Sequence, residues 1–388
     1  AYKRPFQLRW RGFEVEGHMI TSSPYRESPY AAPPEDAPPG FGPLMKEYEV
    51  DPEPIGAGAF GTVHFALRNG TSKMVAIKAV SKSRTKAEAE KGAQADWQQL
   101  IRHEIELMRD LSATRHRNIP RFYGDWEDDM YVYLVLQLCT GGELPDWLLQ
   151  REAEYTEQTA AKVAYDMLQA LHCCHSLHIV HRDVKPPNLI FSAVPTEESS
   201  LLKLVDYGLA ARRPPEQGSL LKEICGTLDF MAPEMLAAAY DAKVDCWSAG
   251  VLVFILLVGK HPFRGPSQQA TEERIRQGLS AERRADLDGV SAGAREFAQA
   301  LLASTPDERP TAREALKHPW LKQRQNAEAP PLSSAIPEQL KRLTSQDDWW
   351  NGTVASVSQR SDSTSASAAT RGEQSLAHKK GGVAHKIA

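Results

Sequence analysis

The stretch Ile179–Phe191, IVHRDVKPPNLIF, holds an acid, a cation and an amide, Asp183, Lys185 and Asn188, on one short turn between apolar flanks. A second such turn follows at LKLVDYGLA, where Asp206 comes after a hydrophobic, strand-like run and precedes a glycine. Asn188 and Asp206 offer hard oxygen ligands of the kind that suit Mg²⁺, which keeps several waters and shares substrate phosphates. Asp183 is suited to accept or orient a hydroxyl proton, and Lys185 to neutralise charge on a transferred group. Taken singly, each motif reads equally as a polar turn after a strand.

Two motifs lie upstream. IGAGAFGTV runs through Ile55, Gly56, Ala57, Gly58, Ala59, Phe60, Gly61, Thr62 and Val63, a G-x-G-x-x-G-x-V pattern between β-like segments. Its glycines let backbone amides approach a phosphate because no Cβ stands in the way. A glycine hairpin without a ligand fits the same letters, and the lack of a following helix argues against a dinucleotide fold. In VAIKAV, Lys78 sits in an apolar strand, where a lysine either snorkels to solvent or pairs with an anion. Glu104 lies on a helical run whose apolar residues Ile101, Ile105, Leu107 and Met108 bring it near the buried face, within reach of that ammonium.

The 388 residues carry a net charge of -4, with 41% hydrophobic and 25% charged residues, the balance of an ordinary water-soluble protein long enough for two lobes. No charge block points to nucleic acid. The five cysteines have no C-x-x-C spacing and read as reduced thiols, so a cytoplasmic setting is the default expectation. The apolar run Ala249–Gly259 is too short to cross a bilayer of ~30 Å and reads as a buried core helix. In LHCCHSLHIVH, adjacent cysteines face different sides of a helix, so a zinc site is not expected.

Residues 1–46 are rich in proline and read as a tail or an extended strap. A small sheet with one helix is expected next, then, after the pair Gly141–Gly142, a larger helical lobe to about Trp320. The serine-rich end is low in large apolar groups, so 322–388 is expected to be mostly disordered.

With all four motifs present in this order, the chain from about Tyr48 to Trp320 resembles the eukaryotic protein kinases of serine/threonine type. The resemblance implies an α+β, bilobal fold over 47–321. Its N-lobe (47–138) would be a small antiparallel β-sheet with one main helix, and its C-lobe (139–321) larger and α-helical. It implies ATP and Mg²⁺ as cofactors and serine- or threonine-bearing protein or peptide substrates as partners, with no nucleic acid and no membrane span. It makes Gly56, Gly58 and Gly61 the loop over the phosphates, Lys78 the contact to the α- and β-phosphates, and Glu104 its ion-pair partner. Asp183 becomes the catalytic base, with Lys185 beside it, and Asn188 and Asp206 the metal ligands. Val63, Ala76, Leu136 and Ile190 would wall the adenine pocket, Gln137 to Cys139 would present hinge backbone, and Glu143 would meet the ribose or a substrate arginine. Glu143 and Asp146 together suggest a basic residue upstream of the acceptor. Arg309 would pair with Glu234, and Lys185 with Thr227 matches the serine/threonine pattern.

Within that family, LQLCTGGEL, YDAKVDCWSAGVLVFILLVGKHPF and ALKHPWL resemble the calcium/calmodulin-dependent and calcium-dependent kinases. No D-x-[DN]-x-[DN]-G loop ending in glutamate is present, so no calcium site of the EF-hand type is expected in this chain. PLSSAIPEQLKRLTSQ, from Pro331 to Gln346, resembles the segment that follows the kinase domain in that group; a short capping helix is expected, with a block to the substrate cleft as the alternative. Tyr207 replaces the usual phenylalanine after Asp206 and needs a partner for its hydroxyl. Glu223 falls where many kinases carry a phosphorylated threonine, and a carboxylate there would pair with Arg182 and order the loop without phosphate. Two other functions compete: a nucleotide-binding pseudokinase scaffold, against which stand Lys78, Asp183, Asn188 and Asp206, and a small-molecule phosphotransferase, against which stands CGTLDFMAPEM, which resembles the segment that positions the substrate peptide in kinases.

Overall fold

The computed structural model describes residues 6–10, 13–17, 40–58, 61–83, 94–150, 156–194, 201–214, 216, 218–325, 332, 336, 339 and 353–354. A hairpin opens it, β1 (Phe6–Trp10) against β2 (Phe13–Gly17). Five antiparallel strands then form one sheet: β3 (Tyr48–Gly58), β4 (Gly61–Arg68), β5 (Met74–Ser81), β6 (Phe122–Glu127) and β7 (Tyr131–Gln137), in the spatial order β3-β4-β5-β7-β6. β5 is central, so Lys78 has a neighbour on each side, Val63 on β4 and Leu134 on β7.

Apolar spacing decides what covers the sheet. In the helix α1 (Gln94–Ala113), Trp97, Ile101, Ile105 and Met108 recur at three- and four-residue intervals and are buried, forming the stripe that a core-facing helix needs. Trp97, Ile101 and Ile105 pack on Val80, Val132 and Leu134, and the Trp97 indole N–H donates to Ser81 O at 2.9 Å. The other face is covered by Phe41, Leu44 and Tyr48, which pack on Val75, Ile77, Tyr133 and Val135. The end of the proline-rich stretch is therefore part of the sheet's core, and the hairpin Phe6–Gly17 is regular structure that the proline content hid.

Below the sheet, α2 (Leu144–Gln150), α3 (Glu157–Ser176), α4 (Pro233–Leu236) and α5 (Lys243–Val258) lead into a larger helical core. Every residue of α5 from Val244 to Val258 is buried, as expected for a helix apolar on all sides at the centre of a lobe. Among the described residues no helix is long and apolar enough to cross a membrane. The fold is the bilobal arrangement that the resemblance implied, a five-stranded antiparallel sheet with one main helix above a helical part.

Short ladders in the larger lobe aim its loops at the sheet. β8 (Ile179–Val180) pairs with β11 (Ala211–Arg212), and β9 (Leu189–Phe191) with β10 (Leu202–Leu204). Residues 181–188 span β8 to β9, and β10 ends two residues before Asp206. Leu204 lies opposite Leu189, and Val205 N–H donates to Asn188 O at 2.9 Å, so the two polar turns become neighbours. Beyond residue 321 the chain is still packed at several points: Leu332 and Ile336 are buried in the larger core, and β13 (Thr353–Val354) pairs with β12 (Gly226–Thr227). These contacts fall inside the stretch expected to be mostly disordered.

Candidate active site

Lys78 reaches out of the central strand to two carboxylates. Its Nζ donates to Glu104 Oε1 at 2.6 Å and lies 3.5 Å from Asp206 Oδ1. Burial alone would favour the neutral amine, but Glu104 and Asp206 outweigh it and hold the Lys78 pKa above the ordinary lysine value. Burial likewise opposes charge on Asp206, and Lys78, Lys185 and His181 overcome it, leaving that carboxyl below the usual range. Both groups are thus charged at neutral pH.

The residues of the 181–188 loop form a second cluster with Thr227. Asp183 Oδ1 accepts from Thr227 Oγ1 at 2.8 Å, and its Oδ2 lies 2.9 Å from Lys185 Nζ. Lys185 Nζ also donates to Thr227 Oγ1 at 3.0 Å. Asn188 Nδ2 donates to Asp183 O at 2.8 Å and to Asp183 Oδ2 at 3.3 Å. With its amide nitrogen so engaged, the Asn188 carbonyl oxygen is free of partners among the described residues. The contacts of Asp206 to Lys78 and to Gly208 N–H both use Oδ1, which leaves Oδ2 open. One amide oxygen and one carboxylate oxygen thus remain as hard donors, a set that fits Mg²⁺.

Beneath the loop, Asp245 at the start of α5 is fully buried and accepts from His181 N–H and Arg182 N–H, each at 2.9 Å, and from His175 Nε2 at 2.8 Å. Those two amide bonds hold Arg182 at φ 69, and Asp206 stands at φ 63. Left-handed backbone at two non-glycine residues is strain of the kind that surrounding contacts must hold in place. Burial opposes charge on Asp245, and the two histidines together with the amides still keep its carboxyl below the usual range. Sequence reading gave no sign of His175: it lies 70 residues from Asp245, inside the segment inspected for zinc. Cys173 and Cys174 are buried thiols, and no group of three or more histidine, cysteine or acidic residues among the described residues could hold a metal ion.

The tyrosine in place of phenylalanine has its partners. Tyr207 is buried, its hydroxyl donates to Leu204 O at 3.2 Å, and Cys174 Sγ lies 3.8 Å away. Its ring meets His181 edge to face with centroids 5.0 Å apart. Arg309 is buried and binds Glu234 through Nη1 and Nη2, the latter at 3.2 Å, the pairing expected from sequence. Arg182 Nη1 meets Glu223 Oε2 at 2.8 Å, as the carboxylate reading required.

The remaining residues line up along the sheet and the connection to the lower lobe. In the glycine-rich turn, Gly56 pairs with Val63, Ala57 with Thr62 and Gly58 with Gly61, and the second arm of the hairpin, β4, pairs in turn with β5, Val63 opposite Lys78. Gly61 has φ +137, and a Cβ there would lie 1.9 Å from Ala79 O, so no other residue fits. Ala59 and Phe60 fall outside the described residues, and Ile55 is half-buried on β3. Ala76 pairs with Leu136 across β5 and β7, Gln137 N–H donates to Arg121 O at 2.8 Å, and Cys139 is buried, its thiol pushed up to about 11 by burial. Ile190 is buried and forms an isolated bridge with Glu143, which is itself only 5% exposed.

The protein kinase domain model matches residues 49–321, and the chain belongs to that family. It is 34% identical over 310 residues to calcium-dependent protein kinase 2 of Arabidopsis thaliana, an alignment covering 78% of this chain and 45% of that protein. It is 34% identical over 312 residues to calcium-dependent protein kinase 11 of Oryza sativa subsp. japonica, covering 78% and 50%, respectively. CDPK-related kinase 5 of Arabidopsis thaliana is 36% identical over 291 residues, covering 74% and 46%. The chain spans about half the length of these curated relatives.

Proposed function

We propose that the chain transfers the γ-phosphoryl group of ATP to serine or threonine hydroxyls of protein substrates. The observation that carries this reading is the convergence of Lys78, from the sheet, on Asp206 at 3.5 Å, and of Asn188 on Asp183 O at 2.8 Å, the two loops of the helical lobe being joined by the Val205 N–H bond to Asn188 O at 2.9 Å.

Lys78, fixed by Glu104, would bind the α- and β-phosphates and hold them in line with the acceptor. The hairpin of Gly56, Gly58 and Gly61 would cover the phosphates with backbone amides. Val63, Ala76, Leu136 and Ile190 would enclose the adenine, with Gln137 to Cys139 at its edge. Asn188 and Asp206 would hold Mg²⁺, which when bound neutralises charge on the phosphate oxygens. Asp183 would orient the acceptor hydroxyl and receive its proton, and Lys185, tied to Thr227, would neutralise charge on the transferred group. The Lys185–Thr227–Asp183 triangle supports serine and threonine as acceptors. Asp146, in the first turn of α2, would favour a basic residue in the substrate.

Replacing Asp183 with Asn tests the assignment: phosphorylation of a peptide library should vanish while ATP binding by calorimetry is retained. Wild-type protein that binds ATP yet phosphorylates no peptide would establish the scaffold reading instead.

A further inference from the structure

A cavity of about 700 Å³ opens in the helical lobe, lined by the end of α3, the residue after β11, the start of α5 and the short helix Ala312–Ala315. That volume is typical of a small-ligand pocket. None of Lys78, Asp183, Asn188 and Asp206 lines it, so it is separate from the site described above. Four cations and two acids stand around it, in a chain whose net charge is -4.

The two acids are already engaged. Asp241 Oδ1 accepts from Lys243 N–H at 2.8 Å, and Glu314 Oε2 accepts from Thr311 N–H at 2.9 Å and from Thr311 Oγ1 at 2.8 Å, closing the cap of the short helix. Of the cations, Lys243 turns its Nζ to Pro306 O at 2.7 Å. The side chains of Arg213, Arg313 and Lys317 make no hydrogen bond or ion pair among the described residues. Arg213 is half-buried and its backbone N–H is tied to His178 O at 2.8 Å, while Arg313 and Lys317 are exposed.

Cations on a convex face are simply solvated, but a concave wall of low dielectric focuses their field inward. Arg313 and Lys317 stand four residues apart and both line the cavity, a spacing at which like charges repel. His172, in the same wall, responds to that field: burial first, then Arg313 and His175, hold its imidazole below the ordinary histidine value. An anion between these groups would relieve the repulsion.

We propose that this cavity binds a small phosphate-bearing anion of at least two negative charges, with Arg213 and Arg313 presenting planar forks to phosphate oxygens and Lys317 a third positive charge. A single carboxylate would leave two of the three cations unmatched, whereas one phosphate brings three acceptor oxygens and nearly two charges. Binding there requires no phosphoryl transfer, so the inference stands apart from the kinase reading.

Calorimetry of the full chain with inorganic pyrophosphate tests it. One-to-one binding is expected, weakened by about five- to tenfold in each of Arg213→Gln, Arg313→Gln and Lys317→Gln. Lys78→Met should keep it, where an anion held in the nucleotide cleft would be lost. The three glutamine variants give up no partner, so an unchanged melting temperature checks their fold. Pyrophosphate should also raise the pKa of His172 by NMR, the resonance being assigned by its loss in His172→Gln. Binding that disappears in Lys78→Met and survives in the glutamine variants would place the anion in the cleft and overturn the proposal. So would the absence of binding at millimolar pyrophosphate, or uptake of several anions indifferent to every variant, which marks an adventitious ion only. A phosphoserine peptide that binds more tightly than pyrophosphate through the same three cations would overturn the small-molecule occupant, and a glutamate-rich peptide that does so would overturn the phosphate chemistry.

Discussion

Arg182 Nη1 donates to Glu223 Oε2 at 2.8 Å, joining the residue before Asp183 to the loop that leads into Gly226 and Thr227. The same guanidinium donates from Nε to Leu209 O at 2.6 Å and from Nη1 to the Tyr240 hydroxyl at 3.3 Å, so one buried cation gathers three segments. Burial works against the Arg182 charge, and Cys225, Tyr240 and Glu223 outweigh it, raising its pKa further. A permanent carboxylate at position 223 lets the loop order around Arg182 without a phosphate. The unphosphorylated protein should therefore be active. The Glu223 side chain is 70% exposed, so the pair is screened and its loss is modest. Glu223→Ala should lower kcat of unphosphorylated protein on a peptide by about two- to fivefold; an unchanged kcat would remove the carboxylate from the ordering of this loop.

Asp245 is predicted to be the larger determinant of stability. Asp245→Ala leaves the His181 and Arg182 amides unpaired in a buried site and removes the His175 contact, a loss of about 2–5 kcal/mol. Because the folded carboxyl titrates below its ordinary value of 3.8, its ionisation contributes stability that is fully present above that value and is lost as pH falls through the lower folded one. Urea unfolding of wild type and variant should show a constant difference from neutral pH down to about pH 5, narrowing only in stronger acid.

Tyr207→Phe should be mild. The ring keeps its place against His181, and only the bond to Leu204 O and the approach to Cys174 are lost, worth about 1 kcal/mol. The melting temperature should drop by a few degrees while peptide phosphorylation persists. Loss of activity together with an unchanged melting temperature would assign the hydroxyl a catalytic part that its contacts do not suggest.

Gly226→Ala should be severe. At φ +103 a Cβ would stand 2.3 Å from Arg182 O, a backbone atom that cannot swing aside, so β12 must move away from the 181–188 loop. We expect peptide kcat to fall by about tenfold or more, with strain of about 1–3 kcal/mol seen as a lower melting temperature. Normal kcat in this variant would mean that β12 and the 181–188 loop tolerate separation.

The sequence by itself determined the parts whose geometry is local. Asp183, Lys185 and Asn188 lie within six consecutive positions, and a turn that short fixes their relative placement before any packing occurs. The glycine spacing, the apolar stripe of α1 and the wholly apolar run of α5 are likewise properties of one backbone period, legible without tertiary contacts. The tertiary structure decided what depends on separated segments. His175 meets Asp245, Cys174 meets the Tyr207 hydroxyl, Phe41 and Leu44 cover the sheet, and Thr353 stands opposite Thr227. Each needs two distant stretches brought to within a few ångströms, and hydrogen-bond and contact energies fall off over that same distance. Such pairs leave no periodicity in the chain; they exist only once helices and strands have packed.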